Sequence, residues 1–158
     1  MTRIVAGSAK GRTLAVPKSG TRPTSERVRE ALFSRLDHMN VLDGATVLDL
    51  YAGTGALGLE AMSRGGAHAT LVEKASAAAR VASANVRSTG LPARVVTADA
   101  RTYLGARNGE ALAGDIDLVF IDPPYDIAEE DMTTVLASLG PWIVPDALVV
   151  VERSTRAP

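Results

Sequence analysis

The segment Val47-Leu48-Asp49-Leu50-Tyr51-Ala52-Gly53-Thr54-Gly55-Ala56-Leu57-Gly58 limits what this chain can fold into more than any other. It runs from a short apolar strand through a glycine-rich turn into the start of a helix. From there on, short apolar runs alternate with alanine-rich helical ones. The pattern predicts strands at Thr46–Leu50, Ala69–Glu73, Ala93–Ala98, Leu118–Asp122 and Ala147–Glu152. Helices are expected between them at about Gly55–Arg64, Lys74–Thr89, Tyr103–Leu112 and Glu129–Leu139. Continuously apolar strands, each followed by a helix, make a mostly parallel sheet covered on both faces, because parallel neighbours need a crossover connection. A doubly wound, Rossmann-like α/β fold is therefore expected. At 158 residues, with 46% hydrophobic and 22% charged side chains, the chain has the material for one globular domain.

The turn has the chemistry of a nucleotide site. Glycines let backbone approach a ligand closely, and the N–H groups at a helix start favour a carboxylate or phosphate. Gly53-x-Gly55-x-x-Gly58 also satisfies the dinucleotide fingerprint, with Glu73 eighteen residues after Gly55. A purely structural turn and an NAD site thus both remain open. Asp49 favours a different ligand. A carboxylate at the end of the first strand would repel a pyrophosphate, whereas it pairs with the ammonium of an amino acid, which S-adenosylmethionine (SAM) carries. Glu73 can accept from ribose hydroxyls in either case. Asp99, in Thr97-Ala98-Asp99-Ala100, can accept from an adenine amino group or cap the next helix. The candidate cofactor set is Asp49, Tyr51, Gly53, Gly55, Glu73, Lys74, Asp99 and Ala100.

The sharpest signal is Leu118-Val119-Phe120-Ile121-Asp122-Pro123-Pro124-Tyr125. Two prolines end the strand and leave nearby carbonyls without intrastrand donors, so the segment presents acceptors. The Asp122 carboxylate and Pro123 carbonyl could hold both hydrogens of an exocyclic base amine, leaving its lone pair available for methylation. Such catalysis depends on positioning and electrostatic complementarity and needs no strong base. Tyr125 offers an aromatic face to a planar base. The plain alternative is a strand-terminating turn with a partly buried tyrosine. Asp122, Pro123, Pro124 and Tyr125 are the candidate catalytic residues.

Charge separates the two ends of the chain. Up to Leu36 there are eight basic residues against two acidic ones, a net of +6, which leaves −7 for the remainder of a chain whose total is −1. A basic flank is either ordinary solvated surface or a phosphate-binding patch. Arg3 to Pro17 reads as a small hairpin around Gly7-Ser8-Ala9-Lys10-Gly11. A helix at about Ser25–Asp37 follows Thr24, with Val28, Ala31, Leu32 and Leu36 at helical spacing. Residues 1–40 are expected to form a basic extension and 41–158 the core. The absence of cysteine excludes disulfides, thiolate catalysis and cysteine-ligated zinc, and two distant histidines argue against a metal. With no apolar run near the ~20 residues that cross a bilayer, and no signal peptide, a cytoplasmic monomer is expected.

With these motifs in order, the sequence resembles the RsmD family of bacterial 16S rRNA guanine-N2 methyltransferases. The likeness lies in Arg3-Ile-Val-Ala-Gly7 with Lys10-Gly-Arg12, Thr21-Arg-Pro-Thr24 leading into Arg27-Val-Arg-Glu-Ala-Leu-Phe33, Val47 to Ala61, and Asp122-Pro-Pro-Tyr125. Many amino-methyltransferases share the glycine loop and Asp-Pro-Pro-Tyr. The segment from Arg22 to Phe33 is more particular to this family. The resemblance implies SAM as cofactor, with Arg22 and Thr24 near its methionine end. It also implies an rRNA grip by Arg3, Lys10, Arg12, Lys18, Arg27 and Arg29, on an assembled or assembling small subunit. Family members continue past the fifth strand with a further pair of strands, so the core here is expected to lack them. The residues alone leave adenine-N6 methylation and a non-catalytic RNA-binding role open.

Overall fold

The computed structural model describes residues 2–16, 26–105, 115–123 and 127–152. A two-stranded antiparallel hairpin, β1 (Thr2–Arg3) and β2 (Thr13–Leu14), precedes α1 (Glu26–His38). The alternating part follows as β3 (Thr46–Leu50), α2 (Ala56–Ser63), β4 (His68–Glu73), α3 (Ser76–Thr89), β5 (Ala93–Thr97), α4 (Ala100–Gly105), β6 (Ile116–Ile121), α5 (Glu129–Ser138) and β7 (Ile143–Val151). The five strands from β3 to β7 form one parallel sheet in the order β5-β4-β3-β6-β7.

This order follows from the strand sequences. Side chains of a strand alternate between faces, so a strand covered on both sides is apolar at most positions on either face. Val47, Leu118 and Phe120 enter the cluster beneath α1, α2 and the hairpin, and Leu48, Leu50, Val119 and Ile121 enter the one beneath α4 and α5. The first cluster also takes Ile4, Ala9 and Leu14 from the hairpin and Phe33 and Leu36 from α1, with Phe33 tilted against Phe120 at 5.5 Å. In the second, Trp142 is fully buried, stacks on Tyr103 at 5.0 Å and donates its indole N–H to the Leu104 carbonyl.

Two boundaries differ from expectation by three residues or more. The last strand begins at Ile143, four residues before the expected Ala147, and so takes in Pro145 and Asp146. They are tolerated because they fall where the pairing with β6 slips register, between Ile116↔Ile143 and Leu118↔Leu148, so neither holds a ladder position. The helix expected at Tyr103–Leu112 starts earlier, at Ala100, and is described only to Gly105. No helix among the described residues is long and apolar enough to cross a membrane.

Strand order reverses at β3. From there β4 and β5 build one way and β6 and β7 the other, so the loops leaving β3 and β6 diverge and open a crevice at the carboxyl ends of these strands. Ligands of open α/β sheets bind at such a switch point.

Candidate active site

Asp49, Glu73 and Asp122 stand at or near the ends of β3, β4 and β6, around that crevice. Asp49 is buried, 1% exposed, and its Oδ2 accepts the Gly58 N–H at 3.0 Å. Its Oδ1, equally buried, has no hydrogen-bond partner among the described residues. Burial pushes the Asp49 carboxyl from 3.8 up to about 8; the Gly58 hydrogen bond partly opposes this, and the charges of Asp122 and Glu73 add to it. A buried carboxylate with an unused oxygen fits a cationic amine, which would satisfy that oxygen and offset the cost of ionising the group.

The glycine loop is held open around this carboxylate. A Cβ on Gly58 would lie 2.3 Å from the tip of the buried Leu71 side chain of β4 and 3.2 Å from Asp49 Oδ2, so a larger residue there would have to displace Leu71 and press on the carboxylate. Tyr51, with φ of 61°, turns the chain off β3 in the left-handed region, which costs a non-glycine residue energy and is concentrated at functional sites. Its half-buried phenol is pushed up by burial and then by the Asp99 carboxylate. Glu73 bridges the loop, with Oε1 accepting from Gly53 N–H and Oε2 from Ala75 N–H, each at 2.8 Å. Each carboxylate oxygen keeps a second acceptor site for a hydroxyl. Asp99 caps α4 through Oδ2, which accepts from Thr102 N–H at 3.3 Å, and Arg101 lies 3.5 Å from the same oxygen. Ala100 is buried beside it and Lys74 is exposed.

Asp122 and the buried Pro123 follow β6 directly. Asp122 lines a recess with Val28 and Leu32 of α1, Leu57, Phe120, Ile121, Val150 and Glu152. As it stands the recess has room for about one water molecule, and its otherwise apolar lining carries two carboxylates, Asp122 and Glu152. Pro124 and Tyr125, Arg22 and Thr24, and Lys18 lie outside the described residues.

The expected RNA-binding set divides. Arg3, Lys10, Arg12 and Arg27 are exposed, and Arg12 also donates to the Ser88 carbonyl at 3.2 Å. Arg29 corrects the expectation, because it is fully buried and cannot meet RNA where it stands. Its guanidinium donates to the Arg3 carbonyl and lies 3.5 Å from Glu60. Glu60, itself fully buried on α2, also accepts from Val5 N–H at 2.9 Å, Ala6 N–H at 3.1 Å and Arg64 at 2.9 Å. Arg64 reaches on to Asp37 at 2.6 Å. The sequence reading missed this network. Its only signal was a lone charge, Glu60, within the otherwise uncharged helix Ala-Leu-Gly-Leu-Glu-Ala-Met-Ser. Ser63 and Asn85 were missed as well. Ser63 ties down Ala6, Ser8 and Ala9, and Asn85 ties down Ala15.

Known proteins share both the sequence and the geometry of this site's scaffold. The sequence profile of a family described as conserved hypothetical protein 95 matches residues 2–158. Ribosomal RNA small subunit methyltransferase D of Escherichia coli K12 is 40% identical over 98% of this chain and 75% of its own length. The chain belongs to the RsmD family. Its Haemophilus influenzae relative of the same designation is 32% identical over 99% of the chain and 80% of its own length. The solved structure of a hypothetical protein from Thermus thermophilus superposes with a TM-score of 0.88 at 36% identity, covering all of this chain and 89% of that one. The fold of the RsmD family is therefore the fold described here.

A stability prediction follows from Asp49. Its pKa is raised on folding, so the folded state holds that proton more tightly than the unfolded state does. Between about 3.8 and 8, rising pH therefore removes stability. Asp49→Asn, which keeps an oxygen for Gly58, is expected to raise the Tm of the ligand-free protein at pH 8 by at least about 2–4 °C. The gain should shrink toward pH 4, and SAM affinity should fall at least tenfold. A lower Tm at pH 8 with SAM affinity retained would contradict this account of Asp49. Thermal melts across pH and calorimetry check both parts.

Proposed function

We propose that this chain is a SAM-dependent methyltransferase that modifies the exocyclic N2 amine of a guanine in 16S rRNA, acting on the assembled or assembling small subunit. The observation that carries the reading is the pairing, at one switch point, of Asp49 and its unused buried oxygen with the Asp122-Pro123 acceptor loop. The name carried by the E. coli and H. influenzae relatives supports ribosomal RNA as the substrate class.

SAM supplies the electrophilic methyl group when bound. The protein's residues provide position and charge. Asp49 holds the cofactor's ammonium, Glu73 its ribose and Asp99 its adenine edge, with Arg22 and Thr24 assigned to its methionine end. The Asp122 carboxylate and Pro123 carbonyl accept the two amine hydrogens, and Tyr125 stacks on the base. Once methylated, the nitrogen is acidic, so its proton leaves toward an ordinary carboxylate and no strong base is needed. The target guanine must be unpaired or splayed out, because side chains cannot reach such a nitrogen inside a stacked helix.

Exposed Arg3, Lys10, Arg12 and Arg27 support an RNA-facing surface on the hairpin and α1. Neutralising Lys10 and Arg12 together is expected to weaken RNA binding and flatten its dependence on salt, by about one unit of log–log slope for each phosphate no longer neutralised. Filter binding across salt concentrations measures this, and an unchanged slope would return the hairpin to ordinary surface. Calorimetric titration with SAM and with NADH tests the cofactor. The expected result is SAM binding alone, and preferential NADH binding would end the methyltransferase reading.

A further inference from the structure

Asn85 lies on the inner face of α3, 1% exposed, and its amide is shared between two loops. Its Oδ1 accepts the Ala15 N–H at 2.7 Å, and its Nδ2 donates to the Ala15 carbonyl and to the Thr54 carbonyl, each at 3.0 Å. Ala15 follows β2 directly, at the exit of the basic hairpin. Thr54 sits between Gly53 and Gly55, both with positive φ, in the cofactor loop. One side chain thus fastens the RNA-facing element to the loop beneath the cofactor.

An asparagine amide suits this task in a way its neighbours in size do not. It offers an acceptor and two donors in one plane, whereas aspartate lacks both donors and leucine lacks all three groups. The other polar fastenings of the hairpin, Glu60 and Ser63 on α2, Arg29 on α1 and the Arg12–Ser88 contact to α3, do not touch the turn between Gly53 and Gly55. They keep the hairpin docked when Asn85 is removed. Building on the functional reading above, we propose that Asn85 is a positioning residue through which cofactor binding and RNA binding favour each other. A ligand that immobilises the glycine loop fixes the Thr54 carbonyl, which fixes the amide and so the exit of the hairpin. RNA then meets a hairpin whose ordering cost has already been met. Linkage makes the effect reciprocal.

The test uses S-adenosylhomocysteine, so that no turnover occurs, and small ribosomal subunits from cells lacking the modification. In the wild-type protein, subunits are expected to tighten S-adenosylhomocysteine binding on the order of tenfold, within the usual range of such couplings. In Asn85→Ala the ratio should collapse toward one. In turnover, KM for subunits should rise by a similar factor while kcat stays within about twofold, because Asn85 touches neither substrate. A purely structural role would lower Tm and leave the ratio intact, and an unchanged ratio overturns the proposal.

Hydrogen exchange on the wild-type protein gives a second readout that does not depend on the variant folding. S-adenosylhomocysteine should slow exchange at the Ala15 amide more than at the Ala9 amide, which Ser63 holds instead. Equal effects at both amides would also overturn the proposal. If the wild-type protein does not bind S-adenosylhomocysteine at all, the functional reading fails first, and the coupling fails with it.

Discussion

Asp122→Ala is expected to lower kcat by about 10²–10³-fold or more, the loss typical of removing one group aimed at charge that develops in a transition state. SAM affinity should hold or tighten slightly. The sign comes from Asp49, because the Asp122 charge is one of the influences that make Asp49 hard to ionise, and removing it eases formation of the carboxylate that meets the ammonium. Asp122→Asn, which keeps an acceptor oxygen without the charge, should fall between the two. Single-turnover kinetics with calorimetry separate chemistry from binding. An Asp122→Ala enzyme with wild-type kcat would remove Asp122 from the reaction.

The largest stability effect is expected at Glu60. Glu60→Ala leaves the fully buried Arg29 without its carboxylate and leaves the Val5 and Ala6 N–H groups without their acceptor. Removing one partner of a buried charge pair costs about 3–5 kcal/mol, because the other charge stays buried and uncompensated. The loss should begin at the hairpin, so protease should cut near residues 5–12 before the core opens. Urea unfolding measures the global value, and a loss below about 1 kcal/mol would mean that Arg29 finds another partner or reaches water. In an Arg29→Met background the same Glu60 substitution should cost less, since it then strands no charge.

The Glu60 network also shows where reading the sequence runs out. The sheet was legible because β3, β4 and β6 are covered on both faces, which makes them apolar at most positions. The glycine loop was legible because a side chain at Gly58 would push into Leu71 and Asp49, which favours glycine there. Asp49 and Asp122 could be placed because strand ends in such folds meet at the switch point. Arg29 was misjudged because charge in a sequence carries no information about burial. Arg27 and Arg29 are two residues apart on α1, and the helix turns one toward solvent and the other inward to Glu60. Asn85 gave no signal at all. Its role exists only because the fold brings Ala15 and Thr54, 70 and 31 residues away in sequence, to one amide.

Labelled methyl transfer tests the central claim most directly. The purified protein is incubated with tritiated SAM and small subunits lacking the modification, and the rRNA is digested to nucleosides. The account predicts label in N2-methylguanosine from 16S rRNA and none from Asp122→Ala. Label on adenine would contradict the guanine-N2 assignment. No label from a protein that binds both SAM and subunits would contradict the methyltransferase reading itself.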